Sequence, residues 1–383
     1  MQTRKLYYED CHLREFDAVV TNCEKTEKGY LVTLDATAFY PEGGGQACDL
    51  GTLENVNVLD VREKGEEVIH LCDGPLELGR QVHGVLDWQR RFDQMQQHSG
   101  EHILSGLIHQ KFGYHNVGFH VGKEAREVDF DGPISWEELL ELESLANQAI
   151  WQDLPVLWEY PAPEELSKIA YRSKKALDWP VRIVTVPGCD VCACCGVHVK
   201  HTGEVGLIKV LSCVKFHDGV RIEMLCGKRA LNYMQAVYEQ NRQVSQLFSA
   251  KRLETAGAAK QISDQLAQEK FRAAGLEKRL FRGIAESYVN CADVVHFEEG
   301  LTCATVRELA DAIAQVCGGT AAVFSGDDEA GYNVCLISKN GDVRDLGKAM
   351  TGALNGRGGG KPGSFQGSLK ATREQIEGFL KAQ

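Results

Sequence analysis

The 383-residue chain contains no run of eighteen apolar residues, and its first ten residues, "MQTRKLYYED", lack the apolar stretch of a secretory leader. These two absences argue against a membrane span and a signal peptide, and they predict a cytoplasmic protein. The chain also lacks an excess of basic residues, since its formal net charge is −12. That charge argues against a protein that coats nucleic acid nonspecifically, because such binding needs clustered Lys and Arg.

The cysteines are numerous but mostly scattered. Fourteen occur in the chain, and without a secretory leader they are expected to be reduced thiols, buried or metal-bound, rather than a disulfide scaffold. One segment, "CDVCACCGVH", concentrates four of them beside a histidine; these residues are Cys189, Cys192, Cys194, Cys195 and His198. The cluster predicts a metal site and leaves open which of the four cysteines binds.

Hydrophobic alternation and turn residues organise the first 227 residues. The segments "YLVTLDATAFY", "GTLENVNVLDV", "EEVIHLCDG" and "RQVHGVLDW" are typical of short strands, with "PEGGGQ" as a glycine-rich connection. They predict a β-barrel-like domain at residues 1–90. Residues 91–110 predict a helix, "SWEELLELESLANQAIWQ" predicts a second helix with Ser135 as its N-cap, and "VRIVTVPG" and "VGLIKVLSCVKF" predict strands. We therefore expect an α+β domain at residues 91–227.

The rest of the chain contains two further regions that differ in composition and predicted structure. Residues 228–288 lack proline and are rich in Ala, Gln, Glu, Lys and Leu, which predicts a long helix or helical hairpin broken near "ETAGAA". Its heptads are ragged, so a packed spacer is favoured over a dimerising coiled coil. In residues 289–383, "AAVFSGD" and "YNVCLIS" predict strands, while "TVRELADAIAQVC" and "VRDLGKAMTGALNG" predict helices of a separate α/β domain. The expected fold class is α+β with several domains.

Two residue pairs carry the metal prediction. His98 and His102 stand four residues apart in "MQQHSGEHILSGL", and Cys194 and His198 have the same spacing. On a helix this spacing places two side chains on one face, one turn apart. Three imidazoles and one thiolate suit tetrahedral Zn2+. The alternative is a structural zinc held by several of the clustered cysteines, but such a site does not need His98 and His102.

The same histidines also allow a different enzyme class. The segment "HSGEH" satisfies H-x-x-E-H, the inverted zinc-protease motif, in which Glu101 is the general base and a distant glutamate is the third ligand. The motif is short. It explains neither the Cys194/His198 pair nor the glycine-rich tail.

Four motifs in order resemble one family. "LDATAFYPEGGGQACDLGTL" is similar to the N-terminal signature of the alanyl-tRNA editing proteins, the AlaX family, and "HSGEH" to its H-x-x-x-H pair. "CCGVHVKHTGEVG" is similar to the C-x-G-T-H-V segment and the T-G-E-I-G that follows it. "GRGGGKPGSFQG" resembles the glycine-rich stretch of the DHH-associated C-terminal domain. The resemblance covers nearly the whole chain, includes the editing and C-terminal parts of alanyl-tRNA synthetase, and is strongest to the long AlaX form.

The resemblance implies an activity and a ligand set. Its zinc ligands fall on His98, His102, Cys194 and His198, and one Zn2+ per chain is expected. The implied reaction is hydrolysis of the ester that joins a wrongly attached amino acid to tRNA(Ala), serine first and glycine as a second candidate. This chain departs from the family at Val197, where a threonine is usual.

Further residues are candidates for catalysis and selectivity. A site that hydrogen-bonds the serine hydroxyl rejects alanine, because alanine leaves the polar groups of the site unpaired. Ser99, Glu101 and His120 are the candidate catalytic and pocket-lining residues, and Gln46 in "PEGGGQ" is a candidate substrate contact. The synthetase tends to have threonine at the position of Glu101. A noncatalytic RNA-binding module with a structural zinc is the rival hypothesis.

The C-terminal tail is the expected tRNA-binding part. Residues 344–383 carry a net charge of +4, from seven basic and three acidic residues. The glycine-rich segment offers exposed amides, basic side chains and an aromatic ring for contact with RNA; the candidates are Arg357, Gly358, Gly359, Gly360, Lys361 and Phe365. It lacks the G-K-S/T ending of a P-loop, so no ATP hydrolysis is expected. The sequence leaves open whether a homodimer forms through the helical spacer or this domain.

Overall fold

The computed structural model describes residues 2–121, 126–173 and 180–382, with the side chains of 119–121 left undescribed. The chain falls into two compact units, Met1–Gln243 and Val244–Gln383. Within the described ranges, each helix is too short or too polar to cross a membrane. The boundary between the units lies inside the segment 228–288 that was expected to be a helical spacer.

The first ninety residues form a closed antiparallel barrel, as the β-barrel-like prediction required. The strands of this region are β1 Arg4–Lys5, β2 Glu15–Thr26, β3 Gly29–Leu34, β4 Ala36–Thr37, β5 Gly51–Leu53, β6 Val56–Lys64, β7 Glu67–Cys72 and β8 Gln81–Leu86. The barrel order is β2-β3-β7-β6-β5-β8, and the short helix α1, Leu6–Glu9, precedes β2. Strand β2 was not singled out from the sequence. A turn at Glu54, whose φ is 53°, splits the predicted strand "GTLENVNVLDV" into β5 and β6.

Two helices cover a four-stranded sheet in the central region. Helix α2, Trp88–Phe112, confirms the helix predicted at 91–110 and begins at the N-cap Asp87. Helix α3, Trp136–Trp151, begins at the predicted N-cap Ser135, which forms a capping box with Glu138. The strands of the sheet are β9 Asn116–Val121, β10 Arg126–Phe130, β14 Ile208–Phe216 and β15 Gly219–Cys226, in the order β14-β15-β10-β9.

A smaller antiparallel sheet carries the cysteine cluster. Its strands are β11 Leu157–Glu159, β12 Ile183–Val186 and β13 Asp190–Ala193, in that order, with helix α4, Pro163–Leu166, between the first two. Gly106 of α2 lets that helix approach this sheet. A Cβ on Gly106 would lie 2.2 Å from the carbonyl oxygen of Cys189, so a side chain there would push the helix away from β13.

The predicted helical spacer consists of two helices, α5 Gly227–Leu247 and α6 Thr255–Glu286. The break lies at residues 248–254, just before the predicted point at "ETAGAA". Helix α6 buries only Phe281 and Ala285 among its residues. Its large apolar side chains before Phe281, such as Phe271, are exposed.

The C-terminal region contains a mixed five-stranded sheet and three helices. Its elements are β16 Val294–Phe297, α7 Cys303–Ala314, β17 Thr320–Asp327, β18 Gly331–Ser338, α8 Arg344–Ala353, β19 Arg357–Lys361, β20 Ser364–Leu369 and α9 Arg373–Lys381. The order is β16-β17-β18-β20-β19. The strands and helices predicted here are confirmed.

The glycine-rich segment is a β-hairpin, not an open loop. Among the described strands, β19 pairs only with β20, so its other edge presents backbone groups that are unpaired within the described sheet. Phe365 on β20 is buried, with 1% of its surface exposed. Gly347 and Gly358 make room for it, since a Cβ on either glycine would lie within 2.7 Å of its ring. The ring therefore packs in the core and is not available for stacking on RNA, which corrects the prediction for Phe365.

Candidate metal centre

Helix α2 places two histidines side by side in the interior. His98 and His102 lie on one face of the helix, with 6% and 3% of their surfaces exposed, and their ring centroids are 5.1 Å apart. The helix is held by Asp87 at its first turn and ends at Gly113, which adopts the left-handed conformation. The i, i+4 spacing thus has the structural result that the sequence predicted.

The loop after β13 brings the second pair to the first. The ring of His198 lies 4.6 Å from each of the other two rings, and the sulfur of Cys194 lies 3.3 Å from Nε2 of His98. One donor atom from each of the four residues lies within 4.8 Å of the other three. Gly196 makes this approach possible, because a Cβ there would be 2.0 Å from Cε1 of His98.

Each imidazole is held at Nδ1, which leaves Nε2 for the cluster. Nδ1 of His98 lies 3.0 Å from Oε1 of Gln46, that of His102 lies 2.9 Å from Oδ2 of Asp190, and that of His198 lies 3.2 Å from Oγ of Ser99. Partners of this kind orient metal-binding histidines and set their tautomers. Nε2 of His198 is buried and has no hydrogen-bond partner among the residues that the structure describes. An unpartnered buried nitrogen that faces a thiol and two imidazoles fits a metal ligand.

The electrostatics of the cluster also fit a cation. Burial opposes ionisation of Cys194, but the charges of His98 and His102 hold the pKa of the thiol well below its ordinary value. Burial lowers the pKa of His198 to about 3, so this ring is neutral. Although burial opposes it, the Cys194 thiolate and Asp190 hold the pKa of His102 well above 6.5. Without a cation, the positive charge of His102 therefore balances the Cys194 thiolate. A bound cation would take over that role.

Gln46 reaches the cluster from a tight turn in the barrel domain. The backbone N–H and C=O of Gly43 and Gln46 pair with each other, and the two residues between them, Gly44 and Gly45, have φ values of 58° and 78°. Two successive positive φ values define a type I′ turn, which glycines adopt without strain. The three glycines of "PEGGGQ" thus shape the turn that presents Gln46.

A buried ion pair anchors the segment that carries this turn. Arg91 of α2 pairs with Asp49 and donates a hydrogen bond to the carbonyl oxygen of Ala38. Arg91 and Asp49 are each 1% exposed or less. Removing either partner would leave a buried charge uncompensated, which costs several kcal/mol (about 3–5).

Asp190 and Arg172 were not singled out from the sequence. Oδ2 of Asp190 accepts from Nδ1 of His102, while the guanidinium of Arg172 donates to both carboxylate oxygens at 2.7 and 2.8 Å. Burial alone would raise the pKa of Asp190, but hydrogen bonds from His102 and Arg172 lower it. The only sequence signal is the position of Asp190 inside the cysteine cluster. Arg172 gives no local signal at all.

The structure separates the four clustered cysteines. Cys194 is partly exposed and belongs to the four-donor group. Cys192 is buried and forms a second, overlapping group with His102 and Asp190, but burial raises the pKa of its thiol. Cys189 is buried, and Cys195 is exposed with its sulfur 3.9 Å from the hydroxyl of Tyr40. Neither of these two belongs to a donor group formed by the described residues.

Of the three candidate catalytic residues, Ser99 contacts the cluster directly. The hydroxyl of Ser99 accepts from the backbone N–H of Val199 and contacts His198, so it supports the ring. Oε1 of the buried Glu101 accepts from Ser105 at 2.7 Å and from Asn116 at 2.6 Å. His120 lies on β9 opposite Glu127, and its side chain is outside the described residues. Their catalytic roles remain predictions.

The protease pattern finds less support in the geometry. It requires a glutamate as the third metal ligand. Among the residues that the structure describes, the two donor groups contain histidine, cysteine and aspartate but no glutamate.

The RNA-binding candidates lie in the C-terminal unit. Residues 357–361 are exposed along the edge strand β19. Among them, Arg357 and Lys361 place basic side chains at the two ends of the strand. Their contact with RNA remains a prediction.

Comparisons with known proteins agree with this organisation. The family model for class II (A) tRNA synthetases matches residues 2–90, that for the threonyl and alanyl tRNA synthetase second additional domain matches 181–223, and that for the DHHA1 domain matches 288–383. The alanyl-tRNA editing protein Aarsd1 of Danio rerio is 28% identical over 97% of this chain and 96% of its own length. The alanine–tRNA ligase of Pyrococcus abyssi is 31% identical over 99% of this chain and 44% of its own length.

A third relative is the alanyl-tRNA editing protein AlaX-L of Pyrococcus horikoshii, which is 35% identical over 61% of this chain and 60% of its own length. The match to Aarsd1 extends over nearly all of both chains, and the three domain matches follow the same order as the barrel, the cysteine-bearing sheet and the C-terminal sheet. The chain belongs to the alanyl-tRNA editing protein family.

Proposed function

We propose that this protein is a trans-editing hydrolase that removes wrongly attached serine, and glycine as a second substrate, from tRNA(Ala). The observation that carries the proposal is the convergence of His98, His102, Cys194 and His198, with each imidazole held at Nδ1, in a chain of the editing family. Three imidazoles and one thiolate are the donors that Zn2+ prefers, and we propose one Zn2+ per chain.

The donor set favours a positioning role for the metal. A bound Zn2+ supplies a Lewis acid and an anchor for the substrate's amino or carbonyl group. Four protein donors complete a tetrahedron, whereas a hydrolytic zinc normally keeps one position open. Three of the donors are buried and Cys194 is partly exposed. We therefore infer that the ester approaches on the Cys194 side.

Unpaired polar atoms near the cluster provide a basis for selectivity. Nε2 of Gln46 and Oδ1 of Asn116 are buried and have no hydrogen-bond partner within the described part of the chain. Gln46 contacts His98, and Asn116 contacts Glu101 on the helix that carries both α2 histidines. In this proposal a serine hydroxyl accepts a hydrogen bond from Nε2 of Gln46 and donates one to Oδ1 of Asn116, while the methyl group of alanine satisfies neither. Discrimination against alanine therefore comes from leaving these groups unpaired.

The first experiment measures hydrolysis of seryl-tRNA(Ala) and alanyl-tRNA(Ala) by purified protein, with and without a chelator. We expect serine to be released, alanine to be spared and the chelator to abolish release. Cys194→Ser should lose both metal and activity. Cys195→Ser, a substitution at the adjacent exposed cysteine, is the matched control and should retain both.

The outcomes separate the rival functions. Metal-replete, folded protein that cleaves neither ester but binds tRNA would support the noncatalytic RNA-binding module. Ester hydrolysis that survives the combined change His98→Ala and His102→Ala would contradict the proposed site. Peptide cleavage that requires Glu101 would support the metalloprotease.

We also propose that the exposed edge of β19 binds tRNA. Arg357 and Lys361 supply phosphate contacts, and the glycines between them leave the strand backbone accessible. Arg357→Ala with Lys361→Ala should raise KM for seryl-tRNA with little change in kcat, and it should reduce the salt dependence of binding. Lys381→Ala, at an exposed lysine of α9, is the control. An unchanged KM would place the RNA contact elsewhere.

A further inference from the structure

Arg182 lies directly beside the loop that carries Cys194 and His198. It comes just before β12, while Cys194 comes just after β13, and the two strands pair with Ile183 opposite Ala193. The carbonyl oxygen of Arg182 accepts the N–H of Cys194 at 3.0 Å, which continues the ladder by one residue. Arg182 is buried, with 7% of its surface exposed. Strand pairing therefore fixes its guanidinium next to the metal-binding loop.

Two side chains hold three consecutive carbonyl groups of this loop. Nη1 of Arg182 donates to the carbonyl oxygens of Cys194 and Gly196, at 3.0 and 2.9 Å. The hydroxyl of Tyr8, from helix α1, donates to the carbonyl oxygen of Cys195 at 2.6 Å. The guanidinium of Arg182 lies 4.8 Å from the centroid of the Tyr8 ring, so the two side chains also support each other.

These contacts determine where the N–H groups of the loop point. A trans peptide group is planar, so the carbonyl of one residue and the N–H of the next point in opposite directions. The N–H that follows the Cys195 carbonyl belongs to Gly196, and it donates to the sulfur of Cys194 at 3.3 Å. The N–H that follows the Gly196 carbonyl belongs to Val197, and it donates to Oε1 of Gln46 at 3.0 Å. Holding the carbonyl groups on one side of the loop thus aims the N–H groups on the other side at the metal site.

Both N–H groups act on proposed metal ligands. A hydrogen bond to a thiolate stabilises its charged form, and the first N–H group reaches the sulfur of Cys194. The second fixes the oxygen of Gln46, which lies 3.0 Å from Nδ1 of His98. Hydrogen bonds of this kind orient metal ligands and tune the affinity for the metal. Rotation of either peptide group would break one of them.

We propose that Arg182 and Tyr8 are positioning residues of the Zn2+ site, which turn the peptide groups of residues 194–197 so that their N–H groups support Cys194 and Gln46. The inference rests on the proposed function, because it concerns the metal site proposed there. It couples helix α1 to that site, although Tyr8 and Cys195 are 187 positions apart.

The first test compares the full chain with Tyr8→Phe, each loaded with Co2+ as a spectroscopic probe. The variant keeps the ring and removes only the hydroxyl that holds the loop. Its thiolate-to-cobalt charge-transfer band should move to longer wavelength, because a weaker hydrogen bond raises the energy of the sulfur electrons. Zinc affinity, measured by competition with a chelator, should fall severalfold. Tyr160→Phe, at the exposed tyrosine that follows β11, is the matched control and should change neither quantity.

Arg182 variants test the second contact. Arg182→Met keeps an unbranched side chain but releases two carbonyl groups, so it should lower zinc affinity about tenfold, within the range found for partners of metal ligands, and shift the same band. Arg182→Lys keeps the charge and a donor and should recover part of the loss. Arg14→Met, at an exposed arginine whose guanidinium lies 4.5 Å from the ring centroid of Trp88, should behave as wild type does. If Arg182→Met does not fold, Tyr8→Phe decides the question.

Amide hydrogen exchange in the metal-free protein gives a readout that does not depend on the metal. The peptide that covers residues 194–199 should exchange faster in Tyr8→Phe than in wild type, and at the wild-type rate in Tyr160→Phe. Equal exchange, equal zinc affinity and the same cobalt band in wild type and Tyr8→Phe would overturn the proposal. A wild-type protein that binds neither Zn2+ nor Co2+ would overturn it too.

Failure of this proposal and failure of the editing function can be told apart. If wild type hydrolyses seryl-tRNA(Ala) while Tyr8→Phe and Arg182→Met match it in zinc affinity and cobalt spectrum, the positioning role fails and the editing function stands. If both variants shift the cobalt band but wild type cleaves no aminoacyl-tRNA, the positioning role is supported and the editing function fails.

Discussion

Oε1 of Gln46 lies 3.0 Å from Nδ1 of His98 and also accepts the backbone N–H of Val197 at 3.0 Å. A peptide N–H can only donate, so this atom is the amide oxygen and Nδ1 of His98 carries the proton. Nε2 of His98, which lies 3.3 Å from the sulfur of Cys194, is then the nitrogen that faces the metal site. A turn in the barrel domain thereby sets the tautomer of a histidine in the next domain.

We predict that Gln46→Leu weakens zinc binding by about 10- to 100-fold, the range found when a partner of a metal-bound histidine is removed. Gln46→Glu keeps an acceptor in place and should retain most of the affinity. Competition with a chelator measures both effects, with Gln89→Ala, at an exposed residue of α2, as the control. Equal affinities for wild type and Gln46→Leu would show that the contact does not support the metal.

Gly196→Ala should disable the site without a backbone penalty. The φ of Gly196 is not positive, so alanine is allowed there, but its Cβ would lie 2.0 Å from Cε1 of His98 and 3.1 Å from Oε1 of Gln46. We expect Gly196→Ala to lose its zinc and most or all of its ester hydrolysis. Gly275→Ala, in open space on α6, should leave zinc binding intact. Full zinc occupancy in Gly196→Ala, measured by elemental analysis, would contradict the described packing.

Arg172 is expected to act on the metal only through Asp190 and His102. Asp190→Asn should weaken zinc binding, since it removes the charge that supports Nδ1–H of His102. Arg172→Met should weaken zinc binding less strongly, because Asp190 stays in contact with His102. The zinc affinity of Arg172→Lys should lie between those of Arg172→Met and wild type. The absorption spectrum of the cobalt-substituted protein reports the ligand geometry independently of activity. A reversed order of effects would show that Arg172 acts otherwise, for example on substrate.

The buried imidazole of His70 should make the stability of the barrel sensitive to acid. Burial lowers its pKa from 6.5 to about 4, while Nδ1–H donates to the carbonyl oxygen of Val32 and Nε2 accepts from Thr37. Because the pKa of His70 is lower in the folded chain than in the unfolded chain, His70 binds a proton more readily in the unfolded chain. Stability is therefore full above pH 6.5 and falls as the pH drops toward 4.

Between pH 7 and pH 5 this linkage amounts to about 2 kcal/mol. Denaturant unfolding at pH 7 and pH 5 measures how much the free energy of unfolding falls in each protein. The fall should be smaller in His70→Gln than in wild type by about 2 kcal/mol. His83→Gln, at an exposed histidine of the same barrel, should keep the acid sensitivity. Identical acid losses in wild type and His70→Gln would mean that His70 is not the group responsible.

Local patterns made much of the chain predictable. The i, i+4 spacing of His98 and His102 required a helix and one shared face, and Ser135 followed by Glu138 defined the start of α3. Strand alternation identified most of the barrel. These features depend on residues within one or two turns of each other, so propensity, capping and periodicity determine them without the rest of the fold.

Other features required the tertiary structure. Gln46 and His98 are 52 positions apart, and His102 and Asp190 are 88 positions apart, so no local pattern pairs them. Phe365 was expected to contact RNA, but Gly347 and Gly358 leave space for its ring in the core. The sequence by itself determined which residues can donate to a metal and which helix presents two of them. Only the packing of the barrel turn, helix α2 and the loop after β13 decided which nitrogen each histidine turns inward and which cysteine joins them, because these choices depend on contacts between distant segments.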